Sequence, residues 1–237
     1  MKRYQRYLVS QQFSENTIHT RITAIKSFFR FLENEEVIKI NPTKATSTSI
    51  SKNSYLKREI LTEEEISQLL EATKHPREKA LYSLMIGAGL RVGDNIRGVC
   101  GLNVDSLNLK ENYIIAYSKY NKFRRVPLKK WVKRNLEKWL LIRPEVKNDA
   151  LFINNRGKRL TAQFINQKLK EKLKETGIKK KISAHNLRHT FGTLCAKYGI
   201  PLLEIAELMG HETVDTTKIY IKLAQVNKTF KEKFPSF

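Results

Sequence analysis

The chain has 237 residues, enough for one or two domains, and 41% of them are apolar, enough for a real core. Forty-five Lys and Arg against 23 Asp and Glu give a formal net charge of +22, a field that favours a polyanionic partner, nucleic acid before an acidic membrane. No apolar run reaches about 18 residues, so a membrane-spanning helix is not expected.

The first residues predict a short helix near Lys2–Gln11. Ser14 then caps a second helix with Ile18, Ile22, Ile25, Phe29 and Leu32 on one apolar stripe. Arg21, Lys26 and Arg30 fall on the opposite face, and Asn41-Pro42 marks a stop. Residues 43–58 are rich in Ser, Thr, Lys and Asn without periodicity, which reads as a linker. The expected organisation is a short helical unit at 1–45, a linker at 46–58 and a larger domain at 59–237.

Thr62-Glu-Glu-Glu65 is a capping box that opens the larger domain. A helix follows from the first-turn Pro76 to about Ala88. Tyr113–Tyr117 and Arg125–Pro127 are short β-branched and aromatic runs around a polar turn, Lys119-Tyr-Asn-Lys122, so a β-hairpin is predicted. Helices are expected at about 129–142, 161–176, 184–198 and 201–209, with Thr213 capping a short helix that carries Tyr220. Leu223, Val226, Phe230 and Phe234 recur at helical spacing in the tail. The fold class is therefore mainly α with a small β-hairpin, an α+β protein.

Cys100 and Cys195 cannot form a disulfide framework and read as reduced thiols. The opening Met-Lys-Arg-Tyr-Gln-Arg-Tyr lacks the apolar centre of a signal peptide, so a cytoplasmic, nucleoid-associated location is expected.

The chemistry-bearing residues cluster late in the chain. His185, Arg188 and His189 fall at i, i+3 and i+4 and share one helix face. His211 follows Gly210, and Tyr220 comes nine residues later. Arg91 lies far upstream in Gly89-Leu-Arg-Val-Gly-Asp94. Arginine grips a phosphate through paired hydrogen bonds, and two of them can stabilise the charge that builds on nonbridging oxygens during phosphoryl transfer. A tyrosine is a poor nucleophile at its ordinary pKa near 10, and becomes useful once its proton is removed. His185 and His189 have the spacing of a zinc helix, but Asn186 stands where a metalloprotease needs Glu, and Arg188 between them would repel a cation. No metal and no cofactor are expected.

Gly210-His-Glu-Thr-Val-Asp-Thr-Thr-Lys-Ile-Tyr220, with Ser183-Ala-His-Asn-Leu-Arg-His189 and the Arg91 motif, resembles the active-site pattern of the tyrosine recombinases, also called phage integrases. The resemblance covers nearly the whole chain. It implies a site-specific DNA recombinase in which Tyr220 attacks a DNA phosphate, Arg91 and Arg188 bind that phosphate, His185 moves a proton with the tyrosyl oxygen, and His211 donates to the phosphate. His189 is assigned to packing and Asp94 to buttressing Arg91. Lys119, in a hairpin resembling the family's, is the implied acid for the leaving 5′ oxygen; Lys122 is the alternative. The family usually has glycines flanking this lysine, where this chain has Ser118 and Tyr120.

The resemblance further implies double-stranded DNA as partner, a homotetramer on two sites, a 3′-phosphotyrosine, a Holliday junction, and no ATP or metal. Both a Xer-like recombinase and a mobile-element integrase fit. The readings outside recombination are a catalytically inactive DNA-binding accessory protein and a type IB topoisomerase. Most relatives have roughly four helices before the linker; two fit here.

Overall fold

The computed structural model describes residues 1–45, 59–117, 123–211, 217, 218 and 220. The chain divides into two compact units, Met1–Arg58 and Glu59–Phe237.

In the first unit, α1 (Lys2–Ser10) packs on α2 (Glu15–Asn34). Ser14 Oγ accepts the Thr17 N–H at 3.2 Å, as its capping position requires. Leu8 and Ile22 are fully buried, while Ile18, Ile25, Phe29 and Leu32 are half-buried, so the predicted stripe faces α1 at its centre and thins towards its ends. The helix stops at Asn34, earlier than Asn41-Pro42 suggests. Glu36 takes a positive φ of 57°, and the Val37 N–H returns to the Leu32 carbonyl, closing the last turn.

The second unit begins with α3 (Glu63–Ala72), where both hydrogen bonds of the Thr62–Glu65 capping box are present. Helix α4 (Pro76–Gly87) is buried on nearly all sides from Ala80 to Ile86, and packs on α5 (Lys130–Ile142) and α7 (Ala184–Lys197). It is the centre of the core. Helix α6 (Ala162–Glu175) buries Ile165, Leu169 and Leu173 on one face, and α8 (Leu202–Met209) packs on α7.

Three antiparallel strands lie in the order β1 (Leu107–Asn108), β2 (Tyr113–Tyr117) and β3 (Phe123–Pro127). Ile114 pairs with Val126 and Ala116 with Arg124. Ile114, Ala116 and Val126 are buried, while the paired Tyr117 and Phe123, at the end of β2 and the start of β3, are exposed. The α+β class and the hairpin are as the sequence predicts; β1, two residues long, carries no readable alternation. Lys119, Lys122, Thr213 and the tail after Tyr220 lie outside the described residues. Among the described residues, no helix is long and apolar enough to cross a membrane, and no cluster of His, Cys, Asp or Glu could hold a metal ion.

Candidate active site

Four elements of the second unit converge at the C-terminal end of α8. A helix end leaves its last carbonyls without intrahelical donors and carries partial negative charge. Here the backbone satisfies two of them: the His211 N–H bonds the Ala206 carbonyl and the Gly210 N–H that of Glu207. Three arginines take the next three. Arg124 Nε donates to Leu208 O at 3.2 Å, Arg188 Nη2 to Met209 O at 2.6 Å, and Arg91 Nη2 to Gly210 O at 3.4 Å. Each comes from a different element: β3, α7 and the loop after α4.

Arg188 is 1% exposed and also donates through Nη1 to Gly89 O at 2.5 Å. Burial first, and then the Arg91 charge, draw its pKa down to about 9; it stays charged at neutral pH. Burial and the Arg91 charge also draw Arg124 down to about 10. Among the described residues no carboxylate pairs with Arg91 or Arg188. Like charges are thus held close together by carbonyl dipoles, an arrangement that an anion would relax.

Gly210 is the hinge of this grouping. Its φ of 61° is the left-handed cap that ends α8, and a Cβ there would stand 2.5 Å from Arg124 Nη1. His211 follows directly, with Nδ1 2.7 Å from Thr217 Oγ1. Burial, and then Arg188, Arg91, Arg124 and His185, hold its pKa down at about 4. At neutral pH His211 is therefore uncharged. If the Thr217 hydroxyl donates to Nδ1, the ring hydrogen sits on Nε2 as a free-standing donor for an anion.

Tyr220 enters the same cluster. It is 1% exposed, and its ring stacks near the His211 ring, centroids 6.1 Å apart at 15°. Gly192 on α7 clears the space for it: a Cβ there would lie 2.8 Å from both Cε2 and Cζ of the tyrosine. His189 Nδ1 lies 2.9 Å from the phenolic oxygen. His185 meets His189 edge-on, ring centroids 4.4 Å apart. Asn186, which breaks the metal motif, instead caps α7: its Oδ1 accepts the Ser183 N–H at 3.0 Å.

The structure thus brings Arg91, His185, Arg188, His211 and Tyr220 to one place. One expectation is corrected. Asp94 does not buttress Arg91. It accepts from the Ile96 and Arg97 N–H groups and from Arg97 Nε and Nη2, a closed local turn that lowers its pKa to about 2. Arg91 is held instead through its backbone, whose carbonyl accepts the Val99 N–H at 2.8 Å. His189, expected to pack, also lies within hydrogen-bond distance of the phenol. Sequence reasoning missed Arg124; among 45 basic residues nothing marked it except its place beside the hairpin turn.

The phage integrase family matches residues 59–226. The chain belongs to that family. A tyrosine recombinase XerC from Thermodesulfovibrio yellowstonii is 34% identical over 87% of this chain and 71% of that protein. A tyrosine recombinase XerD from Oceanobacillus iheyensis is 33% identical over 97% of this chain and 78% of that protein. The crystal structure of XerA recombinase superposes with a TM-score of 0.66 at 27% identity, covering 98% of this chain and 83% of that one. A XerH site-specific recombinase bound to palindromic difH substrate, a post-cleavage complex, has the same fold, with a TM-score of 0.80 at 23% identity over 95% of this chain and 70% of that one. The mostly helical unit with its three-stranded sheet is therefore a tyrosine-recombinase catalytic fold, and this integrase-family chain is a homologue of the Xer recombinases.

Proposed function

We propose that this chain is a Xer-type site-specific recombinase that cuts and rejoins double-stranded DNA through Tyr220. The observation that carries the reading is the convergence of the Tyr220 phenol and His211 with Arg91 and Arg188, both bonded to the last carbonyls of α8. In the reaction, a DNA phosphate enters between Arg91 and Arg188, whose remaining N–H groups neutralise its nonbridging oxygens. His211, uncharged and held by Thr217, donates a further hydrogen bond. An imidazole of α7, His185 in the family resemblance, serves proton transfer on the tyrosyl side. Tyr220 Oη forms a bond to phosphorus as the bond to O5′ breaks, giving a 3′-phosphotyrosine. Lys119, between β2 and β3 in sequence, is the acid assigned to the leaving 5′ oxygen, with Lys122 the alternative. The 5′ hydroxyl of a partner duplex then reverses the attack, and a second round resolves a Holliday junction. The ester conserves the bond energy, so neither ATP nor a metal is needed.

The likeness to the XerH site-specific recombinase bound to palindromic difH substrate supports acting on a specific site. Four protomers on two DNA sites is the assembly that this exchange requires. Residues 1–45 form a separate helical DNA-gripping domain, joined to the catalytic domain by residues 46–58. The +22 charge supports the polyanionic substrate.

The test is strand exchange in EDTA between two labelled duplexes, enriched from random sequence by binding to the protein. Wild type is expected to give recombinant strands and Tyr220→Phe none. Binding without exchange by the wild type would favour the accessory DNA-binding role, and relaxation of supercoils without pairing of sites would favour a topoisomerase.

A further inference from the structure

Tyr220 and His189 stand 31 residues apart in sequence and meet in the interior of the second unit. Their residues are 1% and 6% exposed, and the phenolic oxygen lies 2.9 Å from His189 Nδ1. The approach is built from both sides. On α7, Gly192 leaves the slot that the phenol ring occupies, and Met209 Sδ lines it, 2.9 Å from where a Cβ at 192 would be. His185, one turn earlier, abuts the His189 ring edge and limits its rotation. A neutral imidazole nitrogen is among the few side-chain atoms able to accept a phenol's proton near neutral pH.

The geometry points to His189 as the base that takes the phenolic proton, in contact with the attacking oxygen itself. This deepens the proposed reaction and rests on Tyr220 being its nucleophile. The neutral ring accepts at Nδ1 and carries its own hydrogen on Nε2. As the Oη–phosphorus bond forms and the phosphorus–O5′ bond breaks, the phenolic proton passes to Nδ1, leaving an imidazolium. The proton that O5′ gains comes from a separate acid. On religation the departing phenolate recovers its proton from His189, so one group serves both directions.

The experiment is single-turnover cleavage of a nicked suicide duplex by the full chain. His189→Ala is compared with His189→Asn, whose side-chain amide sits near the Nδ1 position. Each is made with the ordinary residue and with a 2,3,5-trifluorinated tyrosine at position 220, and DNA binding is measured for all. Expected are a loss of about 10²-fold or more in cleavage for both variants, since an amide can hold the phenol but cannot take its proton, DNA binding within a few-fold of wild type, and recovery of at least about tenfold in both when the fluorinated, more acidic phenol needs less help to ionise. Wild type itself should gain little from fluorination. Cleavage by His189→Ala at the wild-type rate would overturn the inference. So would recovery with asparagine, or a loss that the acidic phenol does not relieve, either of which is the signature of a packing role. Failure of wild type to link to DNA would instead overturn the reading of Tyr220 as nucleophile.

Discussion

Arg188 donates to the Met209 carbonyl at 2.6 Å, one position from the cap of α8 and two from His211. With its second hydrogen bond to Gly89 O, this guanidinium joins the ends of α4 and α8 and cannot be replaced by a point charge. Arg188→Ala would leave two buried carbonyls without donors. It is expected to destabilise the chain by roughly 2–4 kcal/mol and to abolish cleavage, whereas Arg188→Lys keeps the charge but reaches one carbonyl at most and should lose most of the cleavage rate. Denaturant unfolding and suicide-substrate cleavage measure the two effects separately.

Arg91 is exposed and makes one long hydrogen bond, so its side chain contributes little to stability. Arg91→Ala should shift the unfolding free energy by less than about 1 kcal/mol. Its cleavage rate should nevertheless fall by about 10²-fold or more, since a lost transition-state donor is not replaced by water. Equal losses in stability at 91 and 188 would contradict the division of labour between them.

Arg124 ties β3 to the end of α8. Arg124→Leu removes that tie and the Leu208 carbonyl's donor. The expected outcome is slower cleavage with the Tyr220 hydroxyl still present and DNA binding reduced less than cleavage. Gly210→Ala is expected to act in the same direction, because its Cβ would press on the Arg124 guanidinium and its φ of 61° would be strained.

His211 gives a pH dependence whose sign is fixed. Its folded pKa, about 4, lies below the ordinary value of 6.5, so the folded state refuses a proton that the unfolded state accepts. The stability advantage of neutral His211 is fully present above about pH 6.5 and is lost as pH falls to about 4. Thermal unfolding of wild type should weaken over that window relative to His211→Asn, which does not titrate. A bound phosphate should reverse the effect, drawing a proton onto the site as DNA binds below pH 6.5.

Much of this was legible before the fold. Capping residues Ser14 and Thr62 placed the starts of α2 and α3, and α5 to α8 lie within a residue or two of their expected bounds, whereas the end of α2 was set too late. The site residues on α7 were readable because the i, i+3, i+4 spacing puts them on one face. Spacing cannot say which ring on that face turns towards a phenol returning 31 residues later, so the different roles given to His185 and His189 rested on the resemblance alone. Asp94 was misread for the opposite reason: its partner Arg97 is three residues away, and a local turn competed with the long-range role. The arginine clasp was invisible because its acceptors are backbone carbonyls, which every residue carries.

The central claim is that Tyr220 becomes covalently joined to DNA. The most direct measurement is to incubate wild type and Tyr220→Phe with nicked suicide duplexes in EDTA, digest the trapped complex, and identify the nucleotide-bearing peptide by mass spectrometry. The account predicts a 3′-phosphate ester on Tyr220 in wild type and no linkage in the variant. Linkage to another residue, or cleavage that persists in Tyr220→Phe, would contradict it.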